Sequence, residues 1–254
     1  MKLALECPTR LLPKVQPLAD FDFILSHLVL QDKEYAKFYK ESTRYKILDS
    51  SVNELLQPLG LSSIQEADSL VGPCDLIVAP DFLGNAGATL DYLEMALEEI
   101  PKSRILPVVQ GSTPDVVLAC ARSIWALGFK KMAIPYDICC ERSEPVNKMG
   151  LSRHSIVSKL ENEFDLDLEL HLLGMTTLEE LKFYSQSRVV SIDTGGPVLM
   201  GLNSKLYGRD TIPNKSVPTM NQMPEPSLAS DTFLRTREYI LYNIAYLRKV
   251  LNGA

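Results

Sequence analysis

Apolar residues along this chain gather in short runs rich in β-branched side chains, each closed by a polar residue or a glycine. The runs are Lys2–Cys7, Phe21–Leu30, Tyr45–Asp49, Cys74–Asp81, Arg104–Gln110, Lys131–Asp137, Leu168–Gly174 and Arg188–Gly195. Most are near-continuous rather than alternating, which is the pattern of strands covered on both faces. Between the later runs the spacing becomes helical. Over Ala88–Ile100, Leu90, Leu93, Ala96 and Leu97 share one face. Within Pro114–Gly128, Val117, Leu118, Ala121, Ile124 and Trp125 do the same, and Gly128 stands at the expected C-cap. Leu151–Phe164 and Thr177–Ser187 read as two more helices, the second opening at Thr176-Thr177-Leu178-Glu179-Glu180 with an N-cap and early acids.

Strand candidates alternating with helices predict an α/β fold, and an irregular (β/α)8 TIM barrel rather than an open doubly wound sheet. The whole chain, residues 1–254, reads as one domain. The first crossover, Pro8–Asp20, is too short and proline-rich for a full helix. Residues 203–230 carry Pro213, Pro218, Pro224 and Pro226 without periodicity and read as a long loop or lid. Asp231 then caps a final amphipathic helix running to Leu251, with Phe233, Ile240, Ile244, Leu247 and Val250 or Leu251 inward. A length of 254 residues and 46% hydrophobic content suit one such barrel, and exclude a disordered or collagen-like chain.

Charge narrows the partners. Lys+Arg 26 against Asp+Glu 32 leaves a net charge of −6, so a polyanion would have to be held by a local patch. Five scattered cysteines, including the adjacent Cys139-Cys140, read as reduced, mostly buried thiols of a cytoplasmic protein. Glu6, Arg10 and Lys14 interrupt any signal-peptide core, and no uncharged apolar run approaches the roughly 20 residues of a spanning helix.

In a TIM barrel the chemistry stands at the C-terminal strand ends. The third candidate strand ends in Asp49, the fourth in Asp81, the fifth in Gln110-Gly111, the sixth in Tyr136-Asp137, the seventh in His171 to Gly174 and the eighth in Asp193. Carboxylates converging on one mouth form an acid/base or nucleophile constellation, or a divalent metal site. Taken singly, each is also a plain helix cap. Asp137 reads as a loop anchor beside Tyr136, and His171 as a satisfied wall histidine. Gly195-Gly196 is open to a phosphate-binding reading.

Several of these segments resemble the tRNA-guanine transglycosylase superfamily. The most specific is Val108-Val109-Gln110-Gly111-Ser112, followed by a helix ending Ala126-Leu127-Gly128-Phe129 and the strand Ala133-Ile134. Leu48-Asp49-Ser50-Ser51 resembles the family's Asp-Ser-Gly-Gly stretch, Ala79-Pro80-Asp81 the acid that reads the base, His171-Leu172-Leu173-Gly174-Met175 the segment before the last catalytic strand, and Ile192-Asp193 that strand itself. The similarity runs over roughly residues 45–200. Pro135-Tyr136 stands where the tRNA enzymes have a glycine pair, and Ser51 where they have a glycine. Their zinc element has no counterpart, because none of Cys7, Cys74, Cys120, Cys139 and Cys140 follows Asp193. The remainder is most similar to the branch that places 7-deazaguanine bases in DNA, often in phage genomes.

That resemblance implies base exchange with Asp193 as nucleophile, Asp49 as general acid/base, and Asp81, Gln110, Gly111, Tyr136 and Gly174 around the base. Exchange at C1′ with retention needs two displacements, hence one ionised carboxylate and one whose proton shuttles; it needs no cofactor or metal. The implied partners are a free 7-deazaguanine base and a nucleic acid, DNA in preference to tRNA. Arg142, Lys148, Arg153, His154 and Lys159, with Lys205, Arg209 and Lys215, would rim the mouth and meet phosphates. Two other readings stay open: a non-catalytic partner subunit, and an unrelated metal-dependent barrel enzyme using Asp49, Asp81 and Asp193 as ligands.

Overall fold

Strands form where the apolar runs stand, although most are shorter than the runs. In the computed structural model they are β1 (Lys2–Leu5), β2 (Asp22–Leu25), β3 (Lys46–Asp49), β4 (Leu76–Val78), β5 (Ile105–Leu106), β6 (Lys131–Pro135), β7 (Glu169–Leu173) and β8 (Val189–Thr194). The structure describes residues 1–140, 146–175, 177–210 and 230–253. Among the described residues every strand pairing is parallel, and the strands make two four-stranded sheets, in the orders β2-β3-β4-β5 and β1-β8-β7-β6. Backbone hydrogen bonds also run between the sheets. Past β5, Val108 bridges Ala133 of β6, with Ala133 N donating to Pro107 O at 2.8 Å and Val109 N to Ala133 O at 3.0 Å. Before β2, Asp20 N donates to Leu3 O of β1 at 2.7 Å.

Successive strand residues point to opposite faces, so the strands feed two cores. One face supplies Leu3, Ile24, Leu48, Ile77, Ile134, Leu172 and Ile192 to the large core shared with the helices. The other supplies Ala4, Phe23, Leu25, Ile47, Leu76, Val78, Leu106, Val108 and Ala133 to a second, smaller cluster drawn from both sheets. Burial on both faces is why the strands read as continuous apolar runs.

The helices are α1 (Leu12–Val15), α2 (Ser26–Gln31), α3 (Lys33–Glu41), α4 (Val52–Leu55), α5 (Leu61–Val71), α6 (Ala86–Glu99), α7 (Pro114–Ala126), α8 (Val146–Glu163), α9 (Leu178–Leu181), α10 (Gly196–Leu202) and α11 (Ser230–Gly253). The expected helix signals are in place on α7 and α9. Thr113 and Thr177 cap them through Val116 N and Glu180 N, and Gly128 takes φ 83° just past α7. Among the described residues no helix is long and apolar enough to cross a membrane.

Several boundaries differ from the sequence reading. The run Phe21–Leu30 splits into β2 and α2, because an apolar run alone does not separate strand from buried helix. Pro107, which has no N–H, interrupts the run Arg104–Gln110 after two strand residues. Thr177–Ser187 is a single turn of α-helix followed by a 3-10 turn, Lys182–Tyr184. The crossover Pro8–Asp20 is irregular as expected, with α1 lying between two 3-10 turns. The final helix begins at Ser230, so Asp231 lies in its first turn rather than at its cap. Residues 211–229 of the long loop, Arg142 and Lys215 lie outside the described residues.

Candidate functional site

Period-two alternation places four side chains of the strand ends on the face of the smaller core: Glu6 after Ala4, Asp49 after Ile47, Gln110 after Val108, and Asp193 after Ser191. β1 and β8 lie side by side with Ala4 opposite Asp193 and Leu5 opposite Thr194. Glu6 N continues the ladder to Thr194 O at 3.0 Å, which brings the Glu6 side chain to the same face as Asp193, whose charge bears on it.

Asp193 is held from two further directions. Gly174 N, in a loop with φ 67°, donates to both carboxylate oxygens at 3.2 Å. His171 Nε2 lies 3.1 Å from Asp193 Oδ1, and its Nδ1 lies 2.8 Å from Ser191 Oγ. With the hydrogen on Nε2, the ring donates to Asp193 and accepts from the Ser191 hydroxyl. The ring is fully buried and stacks on Phe23 at 5.7 Å between centroids. His171 is therefore a buried, hydrogen-bonded residue, as the sequence indicated, but one that touches the candidate nucleophile.

Asp49 is prepared differently. Its Oδ2 accepts from Ser51 N at 2.7 Å, and its carbonyl accepts from Ser26 Oγ at 2.5 Å. Ser51 sits in the left-handed region at φ 61°, where the resembling family has glycine, and this bend aims its N–H back at the carboxylate. Burial is the largest influence on the Asp49 carboxyl, with Glu54, Asp193 and Asp81 adding like charge, and together they push it well above the usual carboxylate range. Burial and Asp193 do the same to Glu6, with Glu54 and Asp49 contributing. Glu6 and Glu54 were not singled out in the sequence. For Glu6 the signal was the Lys2-Ala4-Glu6 alternation; for Glu54, in the short α4, none was available.

Asp81 and Gln110 form a unit. Gln110 Nε2 donates to Asp81 Oδ2 at 2.5 Å, and Gln110 Oε1 accepts from Gly84 N at 3.0 Å. Gln110 thus orients the acid and its loop, with its carbonyl oxygen committed to Gly84. Gly111 is needed for close packing: a Cβ there would stand 2.8 Å from Val117 N of α7. Tyr136 Oη donates to Asn53 Oδ1 at 3.2 Å, and its ring flanks Gly174. Asn53 Nδ2 in turn donates to Glu54 Oε1 at 3.2 Å.

Arg153 corrects the expected basic rim. It is fully buried, not a phosphate contact. Its Nε donates to Glu180 Oε1 at 2.5 Å and its Nη1 to the carbonyls of Leu173 and Gly174 at 2.9 Å, so it fixes the loop that supplies Gly174 N to Asp193. His154 is half-buried against the Phe183 ring, 4.3 Å between centroids. Lys148, Lys159 and Arg209 are exposed and Lys205 is half-buried.

Asp137 accepts at its carbonyl from Cys140 N at 3.0 Å, which makes it a turn anchor. The cysteines are free, but Cys139 and Cys140 are half-buried rather than buried, since the chain turns outward there with Cys139 at φ 57°. Gly196 N is taken by Thr194 Oγ1 at 2.9 Å and a Cβ there would meet Tyr207 Oη at 2.7 Å, which leaves little of the phosphate-loop reading. Among the described residues, no three His, Cys, Asp or Glu side chains stand as a metal-holding group. No protein-family model matches this chain, and no curated protein does.

Proposed function

We propose that the chain is a base-exchange transglycosylase that replaces guanine in DNA with a 7-deazaguanine base. The observation that carries this reading is two differently prepared carboxyl groups, Asp193 at the end of β8 and Asp49 at the end of β3, close enough for the charge of one to bear on the other. Asp193 faces the Gly174 N–H, the His171 ring and Glu6, a seat suited to a nucleophile held in one orientation. Burial and neighbouring acids push the Asp49 carboxyl above the usual carboxylate range, the direction a general acid requires.

In the first displacement an Asp193 oxygen bonds to C1′, the C1′–N9 electron pair leaves with the purine, and Asp49 gives its proton to that purine. In the second, the incoming base returns a proton to Asp49 and attacks C1′, and the C1′–O pair returns to Asp193. Configuration is retained and one proton is conserved. Asp81, oriented by Gln110, is the acceptor proposed for the N1–H and amine of a guanine edge. Tyr136 offers a ring for stacking.

Two joins between the sheets, at Val108–Ala133 and at Asp20–Leu3, and one core fed by both sheets support closure into a (β/α)8 barrel. Exposed Lys148 and Arg209 remain candidates for phosphate contact. The test is an exchange assay in which DNA and tRNA are incubated separately with labelled guanine or 7-cyano-7-deazaguanine. Label entering DNA is expected. Label entering tRNA alone overturns the choice of polymer, and label entering neither overturns the activity.

A further inference from the structure

We infer that Glu6 is a positioning residue that acts through Asp193, donating its carboxyl hydrogen to the nucleophile and stabilising Asp193 as the leaving group of the second displacement. The role rests on the transglycosylase reading of the site. Its geometry is independent of that reading. Parallel pairing of β1 with β8 sets Ala4 opposite Asp193, the ladder continues from Glu6 N to Thr194 O at 3.0 Å, and the alternation turns Glu6 to the same face as Asp193. That register sets the two carboxyl groups side by side, and the charge of Asp193 bears on Glu6.

Two adjacent carboxyl groups cannot both ionise cheaply, so the pair holds one proton between them. Gly174 N–H and the His171 ring face Asp193 as donors, while Glu54, Asp49 and the Cys7 thiol bear on Glu6. Burial and these acids keep the shared proton in place well above the usual carboxylate range. An O–H···O⁻ bond is about twice as strong as a neutral one. When the C1′–O bond breaks, the electron pair returns to Asp193 as full negative charge, and the Glu6 hydrogen bond strengthens with it. The covalent intermediate is thereby kept short-lived. Once Glu6 ionises, the same geometry sets two negative charges against each other.

The experiment combines single-turnover exchange with adduct trapping on guanine-containing DNA, in wild-type, Glu6→Gln and Glu6→Ala proteins across pH. Glu6→Ala is expected to lower turnover about 10- to 100-fold, the loss of one hydrogen bond to a charged group, while trapped adduct rises. Glu6→Gln, which keeps a donor without a titrating proton, is expected to restore turnover to within several-fold and to remove one ionisation from the alkaline limb. The Asp49 ionisation remains in that limb. Carbon-13 NMR of the carboxyl groups in the substrate-free protein reads the pair without any reaction: a protonated glutamic acid at neutral pH, absent in Glu6→Gln, is expected. Wild-type adduct at unchanged levels in Glu6→Ala, or an ionised Glu6 at neutral pH, overturns the role of Glu6. No adduct from the wild type overturns the transglycosylase reading instead, and the NMR result then still decides whether the proton is shared.

Discussion

Asp81 and Gln110 are 29 residues apart in sequence yet share a hydrogen bond of 2.5 Å, and that bond decides what each can offer a ligand. Asp81→Asn turns an acceptor into a group that also donates, facing the Gln110 amide and the base edge alike. Recognition of guanine-type bases is expected to weaken by about 1–3 kcal/mol, or roughly tenfold to a hundredfold, read as kcat/KM in the exchange assay. Exchange at the wild-type rate would reduce Asp81 to a loop anchor. Asp49, Asp81 and Asp193 were legible because each closes an apolar run, where a carboxylate is conspicuous. Glu6 closes a run too, but it read as an interruption of apolar character, and its value depends on the β1–β8 register, which only the fold supplies. Arg153 was misread for a related reason. Its partner Glu180 lies 27 residues further on, and nothing local distinguishes a buried arginine from its exposed neighbours.

At the scale of elements, the loop after β7 is held from behind by α8 and α9. Arg153 on α8 joins Glu180 on α9 to the Leu173 and Gly174 carbonyls, and Tyr184 Oη donates to the same Glu180 oxygen at 3.1 Å. Arg153→Met removes the cation that faces the fully buried Glu180 carboxylate. The expected cost is about 3–5 kcal/mol, the usual penalty for breaking a buried pair from one side. At roughly 2–4 °C per kcal/mol for a chain of this size, calorimetry would show a fall of about 6–20 °C. A change of a degree or two would mean that the pair is not a structural tie. The helices α6, α7 and α8 were legible because they are long enough for periodicity to emerge. In the first half, α1 and α4 have four residues each, too few for any face to repeat. α3 was legible in principle, since Asp32 caps it through Glu34 N at 2.9 Å and Tyr35 N at 3.2 Å.

For the whole molecule, the concentration of acids at one end of the sheets sets how stability depends on pH. Glu6 and Asp49 bind protons more tightly folded than unfolded. Their contribution is therefore fully present below the unfolded values, about 3.9–4.3, and is lost as pH rises through the higher folded values. Glu6→Gln removes one such group. Its melting temperature is expected to match wild type near pH 4 and to exceed it increasingly toward pH 8; equal differences at both pH values would contradict this. The two four-stranded parallel sheets were legible as a class from the run pattern, whereas the joins between them depend on Pro107 and Asp20, which carry no periodic signal. The central claim is that Asp193 forms the covalent bond and Asp49 moves the proton. Denaturing gels of protein trapped on guanine-containing DNA test it most directly. Wild type is expected to give a shifted band, and Asp193→Asn none. Asp49→Asn is expected to retain a small amount, since its exchange falls only by about 10²–10⁴-fold, the usual worth of a general acid. A shifted band surviving in Asp193→Asn would contradict the account.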